Sequence, residues 1–123
     1  MGEEIRSSSG FVARPLDDGE RTTFPNGTVE AVMIGDLTVR RATMQPDWEW
    51  ERDEKRLVGT NSCQNSHVLY VVAGRLGLRL EDGTEHELSP GDVATVPPGH
   101  VGWTIGDEEL VYLDFDAGDD PTD

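Results

Sequence analysis

The amino-acid sequence predicts an all-β sandwich or barrel, and three observations carry that prediction. Short runs rich in β-branched and aromatic residues recur at even spacing through most of the 123 residues. Glycine, proline and Asp-Gly punctuation separates them, as tight turns require. No stretch sustains the 3.6-residue apolar period of an amphipathic helix. A chain of this length is one domain with room for a real core, although apolar residues make up only 35% of it.

Taken in order, residues 1–20 carry Ser7-Ser-Ser-Gly10 and Asp17-Asp-Gly19 and read as an arm, partly flexible, with one short strand at Phe11-Val12. Residues 21–24 form a short strand closed by the Pro25-Asn-Gly27 turn. Runs 28–34 and 37–44 are split by Gly35-Asp36, a two-residue hairpin signal. After Gln45-Pro-Asp47, the segment Trp48-Glu-Trp50 reads as extended, which puts both indoles on one face. Residues 51–56 read as a solvated charge run. Strands are then expected over 66–73, 75–81, 84–88, 92–96, 101–105 and 109–115. Residues 117–123 form an acidic tail.

Leu76, Leu78 and Leu80 alternate with Arg75, Gly77 and Arg79, the mark of a half-buried strand. Val68-Leu-Tyr-Val-Val72 and Leu110-Val-Tyr-Leu113 are instead apolar on both faces. Each needs cover twice, from the interior and from a second sheet or a partner subunit. A homodimer is therefore expected, with Tyr70 among the packing or dimer contacts.

Charge excludes whole classes of partner. The chain has 25 acidic and 10 basic residues, a formal net charge of −15, and Lys55 is its one lysine. Such a surface repels nucleic acid and anionic lipid, so neither is a partner. It resembles the lysine-poor surfaces of halophilic proteins, whose carboxylate repulsion is screened when molar salt cuts the Debye length to roughly 3 Å. No apolar run is long enough to span a bilayer. The amino terminus lacks the apolar core of a signal peptide, and a lone cysteine has no intrachain partner. A cytoplasmic, reducing setting is expected.

One Cys and three His are few enough to weigh singly, and Cys63, His67 and His100 stand at the ends of strand-like runs. Thiolate and imidazole are ligands that zinc prefers, and imidazole also suits iron, nickel and copper. Cys63 and His67 are about 13 Å apart along a straight strand, so they share an ion only if Gln64-Asn65-Ser66 bends. The competing reading makes Cys63 a small buried hydrophobe and the two imidazoles hydrogen-bonded groups in a metal-free pocket. Trp50 and Trp103 are candidates for the mouth of an apolar cavity, or for plain core. His86, between Glu85 and Glu87, faces solvent. Arg75 and Arg79 pair with the acidic surface, and Glu108 and Asp114 are two carboxylates among many that could serve as acid or base.

The evenly spaced strands, with Gly91, five residues, then Pro97-Pro98-Gly99, resemble the cupin family of small jelly-roll β-barrels over residues 21–116. Counting back from Gly74, His67 takes the place of the family's metal-binding Glu, while its His-x-His pair falls on Asn61 and Cys63. In the second motif the metal-binding His falls on Gly102, two residues after His100, and the closing Asn falls on Gly106. More narrowly, Cys63, His67, Gly74-Arg-Leu, Pro97-Pro-Gly-His100, Trp103 and Gly106-Asp-Glu108 are similar to short single-domain cupins. The resemblance implies Cys63, His67 and His100 as ligands of a divalent metal ion, zinc among them; Asn61, Trp50 and Trp103 are the residues expected in the pocket. Two functions follow. One is a metal-dependent enzyme acting on an oxygen-bearing small molecule; the other is a non-catalytic barrel that binds or senses a small ligand without metal.

Overall fold

A computed structural model describes residues 10–55 and 67–116, together with the backbone of the two-residue strand at 5–6. In chain order the strands are β1 (Ile5–Arg6), β2 (Val12–Ala13), β3 (Glu20–Phe24), β4 (Gly27–Ile34), β5 (Leu37–Met44), β6 (His67–Ala73), β7 (Arg75–Arg79), β8 (Glu85–Leu88), β9 (Val93–Val96), β10 (Val101–Ile105) and β11 (Leu110–Asp116). A single helical turn, α1 (Trp50–Asp53), follows β5. Two antiparallel sheets face each other: six strands in the order β3-β4-β5-β11-β6-β9, and three in the order β10-β7-β8. The short strands β1 and β2 pair in a ladder of their own. This is the layout of a jelly-roll barrel, each sheet burying one face against the other. Among the described residues no helix is long and apolar enough to cross a membrane.

The turns are where the punctuation put them. Ile34 pairs with Leu37 across Gly35-Asp36, and Gly35 takes a φ of +60°, the conformation such a tight link needs. Gly74, at φ +75°, carries the chain from β6 in the large sheet to β7 in the small one. A Cβ there would stand 2.5 Å from the Glu109 carbonyl oxygen, so both dihedral and space call for glycine. Pro97-Pro98-Gly99 turns the chain from β9 to β10, again from one sheet to the other.

Alternation decides what faces inward. On β6 the buried residues are Leu69 and Val71, while Val68, Tyr70 and Val72 remain about 40–47% exposed. On β7, Leu76 and Leu78 point in and Arg75 points out to Glu87. Together with Met44, Trp48, Trp50, Val96 and Leu110 they make one core between the sheets. The outer face of β6 thus stays partly exposed, and Val93 of the neighbouring edge strand β9 extends this apolar patch.

Two local readings of the sequence need correction. Trp48-Glu-Trp50 does not continue as a strand: Glu49 makes one bridge to Trp103, and the chain then winds into α1. The run after it is not wholly solvated either, because Asp53 is buried. The Glu49 amide and Arg52 Nε each donate to the Asp53 carboxylate at 3.0 Å, and the Asn26 amide donates at 3.3 Å. These donors tie the start of α1 to the β3-β4 turn and offset the burial of a charge.

Candidate functional site

Between the sheets lies a cavity of about 300 Å³. Its walls are apolar: Phe24 and Met44 from the large sheet, Leu76 and Leu78 from the small one, and the rings of Trp48 and Trp50. Among its polar lining residues, Arg40, His67, Asp114 and His100 gather into one cluster.

Strand register explains that gathering. On β11 the inward positions are Leu110, Tyr112 and Asp114, so a carboxylate occupies a place the strand pattern reserves for the core. Asp114 stands directly opposite Arg40 on β5 and Leu69 on β6. His67, two residues before Leu69, is its diagonal neighbour on the same face, within reach of a side chain. His67 Nδ1 lies 2.7 Å from Asp114 Oδ2, and the Arg40 guanidinium lies 3.9 Å from the same carboxylate and 3.4 Å from that of Asp116. From the other side of the barrel, the corner after β9 delivers His100, whose ring centroid is 5.1 Å from that of His67 in an edge-to-face arrangement.

The tautomers are dictated by the partners. His67 Nδ1 faces a carboxylate and His100 Nδ1 lies 2.7 Å from the Pro97 carbonyl oxygen. Both partners are acceptors, so both Nδ1 atoms carry the proton and donate. In each neutral ring the lone pair therefore sits on Nε2. A carboxylate holding the Nδ1–H of a histidine whose Nε2 serves as ligand is the recurring support of metal-bound imidazole. Oδ1 of Asp114 is buried and has no hydrogen-bond partner among the described residues.

Of the residues singled out from the sequence, the structure brings His67 and His100 together and puts Trp50 on the cavity wall. Trp103 is not among the residues lining the cavity: it lies on the outer face of the small sheet, over Gly77. Cys63 and Asn61 fall outside the described residues. His86 and Glu108 are exposed, away from the cavity. Arg40, Trp48 and Tyr112 line the cavity without having been singled out. Their inward parity, shared with Met44 for Arg40 and with Leu110 for Tyr112, was the available signal.

The donor set suits a metal ion in type. Among the described residues, though, no group of three His, Cys, Asp or Glu side chains is placed to hold one. Two imidazoles are in place, their ring centroids 5.1 Å apart, and Cys63, the third ligand expected from the sequence, lies outside the described residues.

No protein-family model matches the sequence, and no curated protein matches it either. The fold is found in solved structures. KdgF from Halomonas sp. superposes with a TM-score of 0.58 at 19% identity, over 80% of this chain and 86% of that one. A cupin-like protein from Thermotoga maritima gives 0.57 at 19% identity, over 82% and 78%. A sugar phosphate isomerase of the cupin superfamily from Silicibacter pomeroyi gives 0.59 at 18% identity, over 82% and 72%. Two facing antiparallel sheets, the Pro-Pro-Gly corner between them and these likenesses show that the chain has a cupin-type jelly-roll fold.

Proposed function

We propose that the barrel binds a small molecule at the His67–His100 end of its cavity, beside a divalent metal ion held by His67, His100 and Cys63. The observation that carries this reading is the pair of imidazoles, each with Nδ1 committed to an acceptor and its lone pair on Nε2. Thiolate with two imidazoles favours zinc, and three protein ligands leave a coordination position for a reactant. An ion there would polarise a carbonyl or lower the pKa of bound water. The protein's own part is to hold His67 with Asp114 and to keep water off the reactant with Trp48 and Trp50. A cytoplasmic setting would keep the Cys63 thiol reduced for this role.

The His67–Asp114 hydrogen bond also favours a second reading, in which no metal is held. The barrel then binds a small ligand through the same corner, and the carboxylate-oriented imidazole can accept a proton from it. Metal analysis of protein purified in high salt without chelator separates the two. Near one equivalent is expected, lost in a His67→Ala/His100→Ala double variant and reduced by orders of magnitude in Cys63→Ser. Asp114→Asn should weaken the ion about 10–100-fold through its support of His67. Absence of metal, with no thermal shift on adding zinc, iron, nickel or copper, would decide for the second reading.

A further inference from the structure

Arg14 is distinguished by what it lacks. The other arginines whose side chains are described, Arg21, Arg40, Arg41, Arg52, Arg75 and Arg79, each stand 3.4 Å or less from a carboxylate. Arg14 meets none among the described residues, in a chain with 25 acidic residues for 10 basic ones, and its buried Nε–H has no acceptor among them. Its side chain lines a second cavity, of about 420 Å³, together with Thr22, Val29, Ala31, Met33 and Arg40. We infer that this cavity is a second ligand site, which takes a small organic monocarboxylate on the Arg14 guanidinium.

The position of Arg14 is fixed by the chain around it. It follows β2, and a 3-10 turn over Leu16–Asp18 comes next. That segment is fastened to the large sheet twice. A Cβ at Gly19 would overlap the Ala31 carbonyl oxygen, and Asp17 accepts a hydrogen bond from Arg41 at 2.5 Å. The acids of the turn and of the facing strands are engaged elsewhere: Asp17 and Glu30 with Arg41, Asp114 and Asp116 with Arg40. Val29 lines both cavities, and β4 runs from it through Ala31 to Met33 and the Gly35-Asp36 hairpin. Met44, in the wall of the first cavity, pairs with Gly27 at the opposite end of β4. The second cavity therefore lies farther along the same sheet.

The chemistry follows from the guanidinium. A charged donor buried without an acceptor is destabilising, and a ligand that brings the acceptor removes that penalty. The planar fork of an arginine matches the two oxygens of a carboxylate. Arg40, on the same wall, already shares its charge with Asp114 and Asp116, so one cation is open. Glu20, exposed on β3 opposite Ala31, also lines the cavity and would repel a second anionic group on the ligand. Val29, Ala31, Val32 and Met33 give the ligand's short aliphatic body an apolar strand to lie on. Neither imidazole takes part, so the site stands or falls apart from the metal reading.

The test is titration of the full chain with butyrate and hexanoate at fixed ionic strength. Calorimetry and NMR of the arginine Nε–H signals are the readouts, the Arg14 signal being identified by its loss in Arg14→Met. Butan-1-ol, succinate, inorganic phosphate and chloride serve as comparators. Expected is saturable binding of the two monocarboxylates that shifts the Arg14 signal and is at least about tenfold tighter than any comparator. Arg14→Met should weaken it more than about tenfold, and Arg14→Lys, which keeps the charge without the fork, about three- to tenfold. Without ligand, Arg14→Met should melt within about 2 °C of the parent protein. A clearly lower midpoint would mean that Arg14 serves an acid of the chain itself, against the inference. Chelation and the His67→Ala/His100→Ala variant should leave binding unchanged; its loss in either would move the carboxylate to the first cavity and remove the second site. Phosphate or chloride bound as tightly would overturn the carboxylate class, succinate bound more tightly the single charge, and butan-1-ol bound equally the role of Arg14. No saturable binding of any probe would overturn the inference as a whole.

Discussion

Asp114 shows how a buried carboxylate is made tolerable: His67 donates to one oxygen and Arg40 stands near, although the other oxygen has no partner among the described residues. Read as one acid among 25, it carries no signal; read by parity with Leu110 and Tyr112, it is a charge in a core position. Strand parity was equally available for Trp103, an odd position beside the inward Gly102, and it points away from the cavity. What parity could not supply is register, which alone sets Asp114 diagonal to His67. Asp53 gives a prediction at this scale. Burial would raise its carboxyl, but hydrogen bonds from Arg52, the Glu49 amide and Asn26 outweigh it and hold the pKa below the ordinary value. A depressed folded pKa stabilises above the unfolded value, and that contribution is lost as pH falls below about 4 and through the folded value. Urea unfolding from pH 6 to pH 2 should show Asp53→Asn less stable at pH 6, by about 1.5–3 kcal/mol. The gap to the parent protein should close as the pH drops; a constant gap would contradict the assignment.

The elements most legible in the sequence were those with their own local chemistry. Gly35-Asp36 announced the β4-β5 hairpin, and Gly74 the passage from β6 to β7, because a tight turn restricts backbone dihedrals more than it restricts neighbours. Helix α1 was not legible: four residues carry no period, and Asp53, its tie to Asn26, is a contact distant in sequence. The close approach of β7 and β10 was likewise hidden. Gly77 lies opposite Trp103, and a Cβ at Gly77 would overlap the indole ring. Gly77→Ala should therefore cost about 1–3 kcal/mol by overpacking. Trp103→Leu, by vacating the space, should restore most of the loss in the double variant. Denaturant midpoints of the three variants check this, and simple additivity would count against the contact.

At the scale of the whole molecule, charge and the bare outer face of β6 act on one another. Val68, Tyr70, Val72 and Val93 are exposed apolar side chains on β6 and its neighbour β9 in a protein of net charge −15. This is where two copies could approach with least repulsion, and the expected assembly is a dimer through that face. Molar salt, screening beyond roughly 3 Å, should raise both the thermal midpoint and the dimer fraction. Light scattering and melts across a potassium chloride series measure the two together, with Tyr70→Glu expected to leave monomer. A midpoint indifferent to salt would remove the halophilic reading.

His67 hangs from the six-stranded sheet and His100 from the corner that enters the three-stranded one. Whatever engages both rings is therefore a cross-brace between the two halves of the barrel. At a hundredfold excess over its dissociation constant such an occupant adds about 2.7 kcal/mol to stability. It should slow amide exchange in β6 and β10 together, though the two strands share no ladder. The barrel's breathing, rather than any one side chain, would then gate entry to the cavity.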